Sequence, residues 1–162
     1  MRTENKADQE EKVYNKIVRF ATLRPRSEHE INLWLKRKKI STTTSSRVFN
    51  RLKNLNLIDD EAFASWWVEQ RLTFRPKARR ALSFELRQKG ISRDTIESVL
   101  KNIEIPSETA LAAELVAKKL PRFKDLPPEV RKKKLVGFLV RRGFSWETIK
   151  KAVDVGDVDV VE

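Results

Sequence analysis

Cysteine is absent from the 162 residues of the chain, and histidine occurs once, as His29. Disulfides, thiol chemistry and most zinc-binding patterns are thereby excluded, and neither a metal nor a cofactor is expected. Long apolar runs are also missing: none approaches the ~20 residues that cross a bilayer, and no signal-peptide or lipidation pattern opens the sequence. A cytoplasmic protein that does not engage a membrane is the expectation. Equally absent are a nucleophile beside a general base, a glycine-rich phosphate loop and a cluster of metal-ligating side chains. The acidic run Asp59-Asp60-Glu61 has no second cluster to complete a two-metal site, and it sits where a helix start favours carboxylates. An enzyme is therefore not expected.

What the sequence holds in excess is positive charge. Lysine and arginine number 35 against 23 aspartates and glutamates, a formal net charge of +12, which points to a polyanionic partner and to nucleic acid first. The length allows one ordinary domain or a few small modules, each able to bury only a modest core by itself.

Apolar residues recur at helical spacing throughout. Val13, Ile17, Val18, Phe20 and Ala21 form the first such stripe, which Pro25 stops. Ser27 can cap the next helix, with Glu30 completing a capping box and Ile31, Trp34 and Leu35 facing inward. A third helix carries Val48, Phe49, Leu52 and Leu55. The stretch from Ile58 to Leu100 repeats this order. Asp59 or Asp60 caps a helix with Ala62, Phe63, Trp66 and Trp67 inward; Arg75-Pro76 breaks it; a second helix follows with Ala78, Ala81, Leu82 and Leu86 inward; Gly90 ends that helix; and Ser92 caps one facing Ile96, Val99, Leu100 and Ile103 inward. Downstream, Ser107 caps a helix with Leu111, Leu115, Val116 and Leu120, closed by Pro121 and followed by a linker from Arg122 to Pro128. The next helix holds Val130, Leu135, Phe138 and Leu139 and ends at Arg142-Gly143, and Ser145 caps a last one with Ile149, Ala152 and Val153.

Three segments superpose: Leu35 to Ser41, Leu86 to Ser92 and Leu139 to Ser145, offset by 51 and 53 residues. The same register aligns Ile31 with Leu82 and Leu135, Val48 with Val99 and Ala152, and Phe49 with Leu100 and Val153. Agreement of cap, turn and core positions at near-constant spacing is the mark of tandem supersecondary units. The fold class expected is all-α, a tandem array of three three-helix repeats, elongated and curved. Repeat one covers 12–58, repeat two 59–105 and repeat three 106–154, between a flexible N-terminal arm (1–11) and an acidic C-terminal tail (155–162). One position departs from the pattern: Lys39 stands where Gly90 and Gly143 stand.

Arg26-Ser27 with Glu30, Leu57 to Ala64 with Arg71, Glu85 to Ile91, and Arg142-Gly143-Phe144-Ser145 together form a recognisable set of motifs. By these residues the chain resembles the RecX family of bacterial regulators of the RecA recombinase. The resemblance covers about Glu11 to Val153. It implies an all-α array of three-helix repeats that lies along the groove of a RecA filament on single-stranded DNA and inhibits or remodels it. It implies no catalytic residues.

Between Arg75 and Arg93 stand seven cations and a single acid, Glu85. Arg75, Lys77, Arg79, Arg80, Arg87 and Lys89 are candidate contacts, together with the corresponding clusters Lys36, Arg37 and Lys38, Lys132 and Lys133, and Arg141 and Arg142. Arginine suits bidentate contact with phosphate or carboxylate better than lysine does, so Arg71, Arg80 and Arg87 come first. A structural role competes for Arg71, which could bridge to Asp59 or Asp60. Trp66 and Trp67 are expected in packing between helices, Trp146 partly exposed, and His29 on the surface. The preferred reading is a monomeric, non-enzymatic modulator of a RecA filament, with direct DNA contact left open. The alternative is a helix-turn-helix DNA-binding protein built on Leu35 to Phe49, although Thr42 to Ser46 offer little bidentate base readout.

Overall fold

The computed structural model describes residues 6–158, and all regular structure within them is helical: α1 (Lys6–Thr22), α2 (Glu28–Arg37), α3 (Thr42–Asn54), α4 (Asp60–Phe74), α5 (Arg79–Gln88), α6 (Arg93–Asn102), α7 (Glu108–Lys119), α8 (Pro128–Val140) and α9 (Trp146–Val158). A 3-10 turn, Leu120–Phe123, follows α7 directly where a plain linker is expected, because Pro121 suits its first turn. Two ends differ from expectation. Helix α1 begins at Lys6, inside the segment read as a flexible arm, and α9 continues to Val158, inside the segment read as a loose tail. Residues 1–5 and 159–162 lie outside the described residues. No described helix is long and apolar enough to cross a membrane.

Serine and aspartate side chains start the helices as their spacing predicts. Ser27, Ser41, Ser92, Ser107 and Ser145 accept from the backbone N–H of Glu30, Thr44, Thr95, Ala110 and Thr148, at 3.1 to 3.3 Å. Asp59 accepts from Glu61 and Ala62 at the head of α4. The capping box at Ser27 is only half made, because the carboxylate of Glu30 is taken by Arg24.

Helix ends follow one rule. At Lys39, Asn56, Gly90 and Gly143 the backbone turns left-handed, with φ of 54°, 52°, 81° and 80°. Each time the next residue's N–H reaches back five residues: Ile40 to Leu35, Leu57 to Leu52, Ile91 to Leu86 and Phe144 to Leu139. These are Schellman turns, in which an apolar residue just past the helix folds back over its last apolar turn.

The chain divides into two compact units. One comprises the chain through Trp67 together with Leu86–Val99, and the other Val68–Glu85 together with the chain from Leu100. In the first, α1, α2 and α3 enclose Ile17, Ile31, Leu35, Val48 and Leu52, with Phe20 and Trp34 stacked at 6.2 Å beside them. In the second, Ala78 joins Leu111, Leu115, Leu135, Leu139, Ile149 and Val153 in one core. The division cuts through the middle repeat instead of falling between repeats, for a local reason. The end of α5 is bonded to the start of α2 (Ser27 Oγ to the Lys89 carbonyl, 2.9 Å), and the start of α5 to the end of α8 (Ala78 N–H to the Arg142 carbonyl, 3.0 Å).

The expected core positions are buried or half-buried, with three exceptions. Leu55 ends its helix and is exposed; Ala62 is exposed, with Ala64 and Val68 buried instead; and Val130 is 41% exposed.

The two glycine turns are pressed against a preceding helix. A Cβ on Gly90 would fall 2.5 Å from the Cβ of His29, and one on Gly143 would fall 2.5 Å from the Cβ of Ala81. Both the left-handed φ and the contact therefore require glycine. Gly90→Ala is expected to cost about 2–4 kcal/mol, adding the left-handed penalty to overpacking. Lys39→Gly, which relieves only a φ of 54°, is expected to gain up to about 1 kcal/mol. Urea unfolding of the two variants beside the parent chain measures both.

Candidate interface for an anionic partner

The cations singled out in the sequence separate into those held internally and those displayed. Arg71 does not reach Asp59 or Asp60. Its Nε donates to Glu85 at 2.8 Å, and Lys77 bonds the other oxygen of the same carboxylate. All three side chains are mostly buried, which gives Arg71 and Lys77 a structural role in holding Glu85. Arg79 donates to the Leu100 carbonyl and thereby caps the last turn of α6. Arg142 donates to the Pro76 carbonyl at 2.6 Å and lies over the Phe138 ring at 4.5 Å. Burial first, then the charge of Arg75, pulls its guanidinium below the ordinary value. Arg142 therefore serves the junction between α5 and α8. Asp60, for its part, accepts from the N–H of Glu28 at 2.8 Å, and burial raises its carboxyl despite that bond.

The first unit shows what happens where a left-handed turn meets a helix. Phe20, Arg26, His29, Glu30, Leu33, Trp34 and Arg37 line a hollow that the end of α5 enters with Gln88 and Lys89. Lys89 faces Glu30 at 3.6 Å and lies over the Trp67 ring at 4.9 Å. Trp67 stacks on Phe63 at 5.8 Å, Trp66 lies tilted against the same ring at 6.0 Å, and Arg24 lies over Trp66. These tryptophans pack between helices as expected. Burial pushes the Glu30 carboxyl up, but the paired bonds from Arg24 and the charges of Arg24, Lys89 and Arg26 outweigh it and hold the group below its ordinary range.

The displayed cations form a groove in the second unit. Lys132, Lys133, Lys134 and Arg141 of α8 line it, together with Lys119, over a floor of Phe123, Val136 and Phe138, and Glu129 is its one acid. Lys132 also pairs with Asp154 at 3.0 Å. Elsewhere Lys36, Arg37 and Lys38 are exposed at the end of α2, and Arg75, Arg80 and Arg87 are exposed on or before α5. Of the groove's residues the run of one arginine and three lysines at 131–134 is visible in the sequence, whereas Lys119 and Phe123 are not singled out there, because the 3-10 turn that brings them in has no periodicity to announce it. Trp146 is 67% exposed. Among the described residues no group of three or more His, Cys, Asp or Glu is placed to hold a metal ion.

Comparison with known proteins gives a consistent result. Residues 59–100 match the model of the second three-helix domain of RecX, and residues 107–153 that of the third. The regulatory protein RecX of Thermobifida fusca is 33% identical over 88% of this chain and 80% of its own length. That of Mycolicibacterium smegmatis is 37% identical over 90% and 80%, and that of Prosthecochloris aestuarii 36% over 88% and 92%. A crystal structure of regulatory protein RecX superposes with a TM-score of 0.74 at 27% identity, covering 91% of this chain and 74% of that one. The structure of RecX from Lactobacillus salivarius has the same fold, with a TM-score of 0.72 over 94% and 99%.

Glu85→Gln is expected to lower stability by about 1–3 kcal/mol, since it leaves two half-buried cations without their carboxylate. Arg71→Ala is expected to act in the same direction, and thermal melting reads both. Glu30 gives a pH dependence. Its folded pKa is depressed, so its contribution is complete above the ordinary carboxylate range and is lost as pH falls through the folded value. The stability gap between the parent chain and Glu30→Gln is therefore expected to be widest at neutral pH and to close in acid, measured by urea titration across pH.

Proposed function

The chain belongs to the RecX family, and from that premise we propose that it regulates a RecA recombinase by binding its filament on single-stranded DNA and restraining strand exchange and ATP hydrolysis. As a family of regulatory proteins, RecX supplies the class of activity; the contact surface is argued from this chain. The observation that carries it is the recurrence of exposed cations at equivalent places. Lys36 and Arg87 share one register position, Arg37 and Arg141 another, and Arg80 and Lys133 a third. We take the three repeats, 12–58, 59–105 and 106–154, as the units that present them. A filament offers the same surface many times over, and linked weak contacts on a repeating target gain far more than each would alone. Charge contributes rate as well as affinity, since a basic surface is steered toward phosphates and acidic grooves. We place the protein in the cytoplasm with its target.

Sequence-specific reading of DNA by α2 and α3 is disfavoured by the hydroxyls that open α3. Ser45 donates to the Ile40 carbonyl, Ser46 to the Thr42 carbonyl, and Ser41 to Thr44, so these groups serve their own helix. Helix α4 follows, where a wing would be needed.

The test is a filament assay. Stoichiometric excess of the chain is expected to depress RecA-driven strand exchange and ATP hydrolysis, and Lys133→Glu with Arg141→Glu to raise the concentration required at least tenfold. Unchanged exchange and hydrolysis at that excess would contradict the proposal.

A further inference from the structure

We propose that the basic groove on α8 is a third copy of the seat that α2 and α5 offer to a following helix end, and that it receives the C-terminal turn of a helix from another protein, ending in an acid, a glycine and an aliphatic residue. The inference deepens the filament reading and rests on it only for where such a helix comes from.

The seat is defined twice within the chain. In the first unit the α5 turn, Leu86 to Ile91, sits on the outer face of α2: Ser27 bonds the Lys89 carbonyl, Glu30 faces the Lys89 ammonium, and His29 closes on Gly90. In the second unit the α8 turn sits on the first turn of α5: Ala78 bonds the Arg142 carbonyl, and Ala81 closes on Gly143. The register that superposes Leu35, Leu86 and Leu139 then carries the lining of the α2 seat onto α8, although the anchoring position, Ser27 in α2 and Ala78 before α5, falls on Arg131, whose N–H bonds the Pro127 carbonyl. Arg26 falls on Val130, His29 on Lys133, Glu30 on Lys134, Trp34 on Phe138 and Arg37 on Arg141. Those α8 residues line the groove, as their counterparts line the hollow on α2. Even the aromatic floor recurs, Phe20 beside Trp34 in one and Phe123 beside Phe138 in the other. Among the described residues no helix end covers the third seat: Val130 is 41% exposed, and Lys132, Lys133 and Lys134 are exposed. This explains why Val130, apolar in the sequence, is not in the core.

Charge selects the occupant. Where α2 presents Glu30 to a lysine, α8 presents Lys134, so the incoming residue at the Lys89 position must be an acid. A helix C-terminus, whose last carbonyls carry partial negative charge, suits a basic seat further. The α2 seat closes on Gly90 at His29, the position of Lys133, and the α5 seat on Gly143 at Ala81, the position of Lys134; in both, the residue after the Lys89 position is glycine, so the residue after the acid must be glycine, in its left-handed conformation. The corresponding turn of a second copy, Lys36 to Lys39, brings four cations onto this groove and is repelled, so the occupant is not another copy of this chain.

The probe is a fluorescent, lactam-stapled alanine-based helix ending Leu-Ala-Gln-Glu-Gly-Ile, titrated against the full chain and against Lys134→Glu, beside the same helix ending Lys-Gly-Ile or Glu-Ala-Ile and an oligo-dT strand. The Glu-Gly-Ile helix is expected to bind the parent chain at least tenfold more tightly than the Lys-Gly-Ile helix, with the order reversed on Lys134→Glu, and at least tenfold more tightly than the Glu-Ala-Ile helix. No binding by the Glu-Gly-Ile helix, equal binding of the two charge forms, or an order unchanged by Lys134→Glu overturns the proposal. So does a groove whose substitution weakens oligo-dT alone, which makes it a phosphate site. Because no RecA enters this experiment, its outcome is separate from that of the filament assay.

Discussion

A helix that ends in a left-handed residue folds its next apolar side chain back over itself and offers a smooth backbone surface in place of a side chain. In this chain that surface is the means by which one three-helix repeat is joined to the next. The turn at Gly90 is laid against His29 and held by Ser27, and the turn at Gly143 is laid against Ala81 and held by Ala78. Small repeats bury too little to be stable singly, so stacking through such contacts is what makes a row of them viable. The left-handed turns at Lys39 and Asn56 have the same bonds, yet neither carries glycine. At Lys39, where φ is 54°, a lysine tolerates the left-handed turn at a cost of about 1 kcal/mol.

The same economy governs the charges. A net charge of +12 might suggest a surface uniformly given to binding, but several cations are committed to the fold. Arg71 and Lys77 neutralise the half-buried Glu85, Arg24 holds Glu30, Arg79 closes the end of α6, and Arg142 ties α8 to the segment before α5. Among those that remain displayed are the cations at the end of α2, along α5 and in the groove of α8. Family membership supplies regulation as the activity, and this remainder is the surface proposed for it.

Much of the fold was legible because it follows from local chemistry. Serine caps, proline stops and apolar spacing located nearly every helix, and the recurring Leu-to-Ser segments revealed the repeats before any coordinate. The left-handed residue at position 39 was readable from its alignment with Gly90 and Gly143. Other features depend on what lies across space. Arg71 met Glu85 and not Asp59 or Asp60, because α4 presents its last turns to α5. Val130 lies in the α8 groove, 41% exposed, so periodicity assigned it to a core that the described residues do not supply. Lys119 joined the α8 groove through a 3-10 turn whose proline read as a stop. The candidate site was thus half visible: the lysine run of α8 was in the sequence, but the seat it forms required the geometry of the other two.

The central claim is that glycine turns pressed onto a preceding helix hold the repeats together, and native-state hydrogen exchange of the turn amides tests it most directly. The N–H groups of Ile91 and Phe144, which close the seated turns, are expected to exchange only through large-scale opening. That of Ile40, in the same hydrogen bond at an unseated turn, is expected to exchange at least a hundredfold faster. Equal protection of Ile40 and Ile91 would show that the turn alone accounts for its rigidity, and would contradict the account.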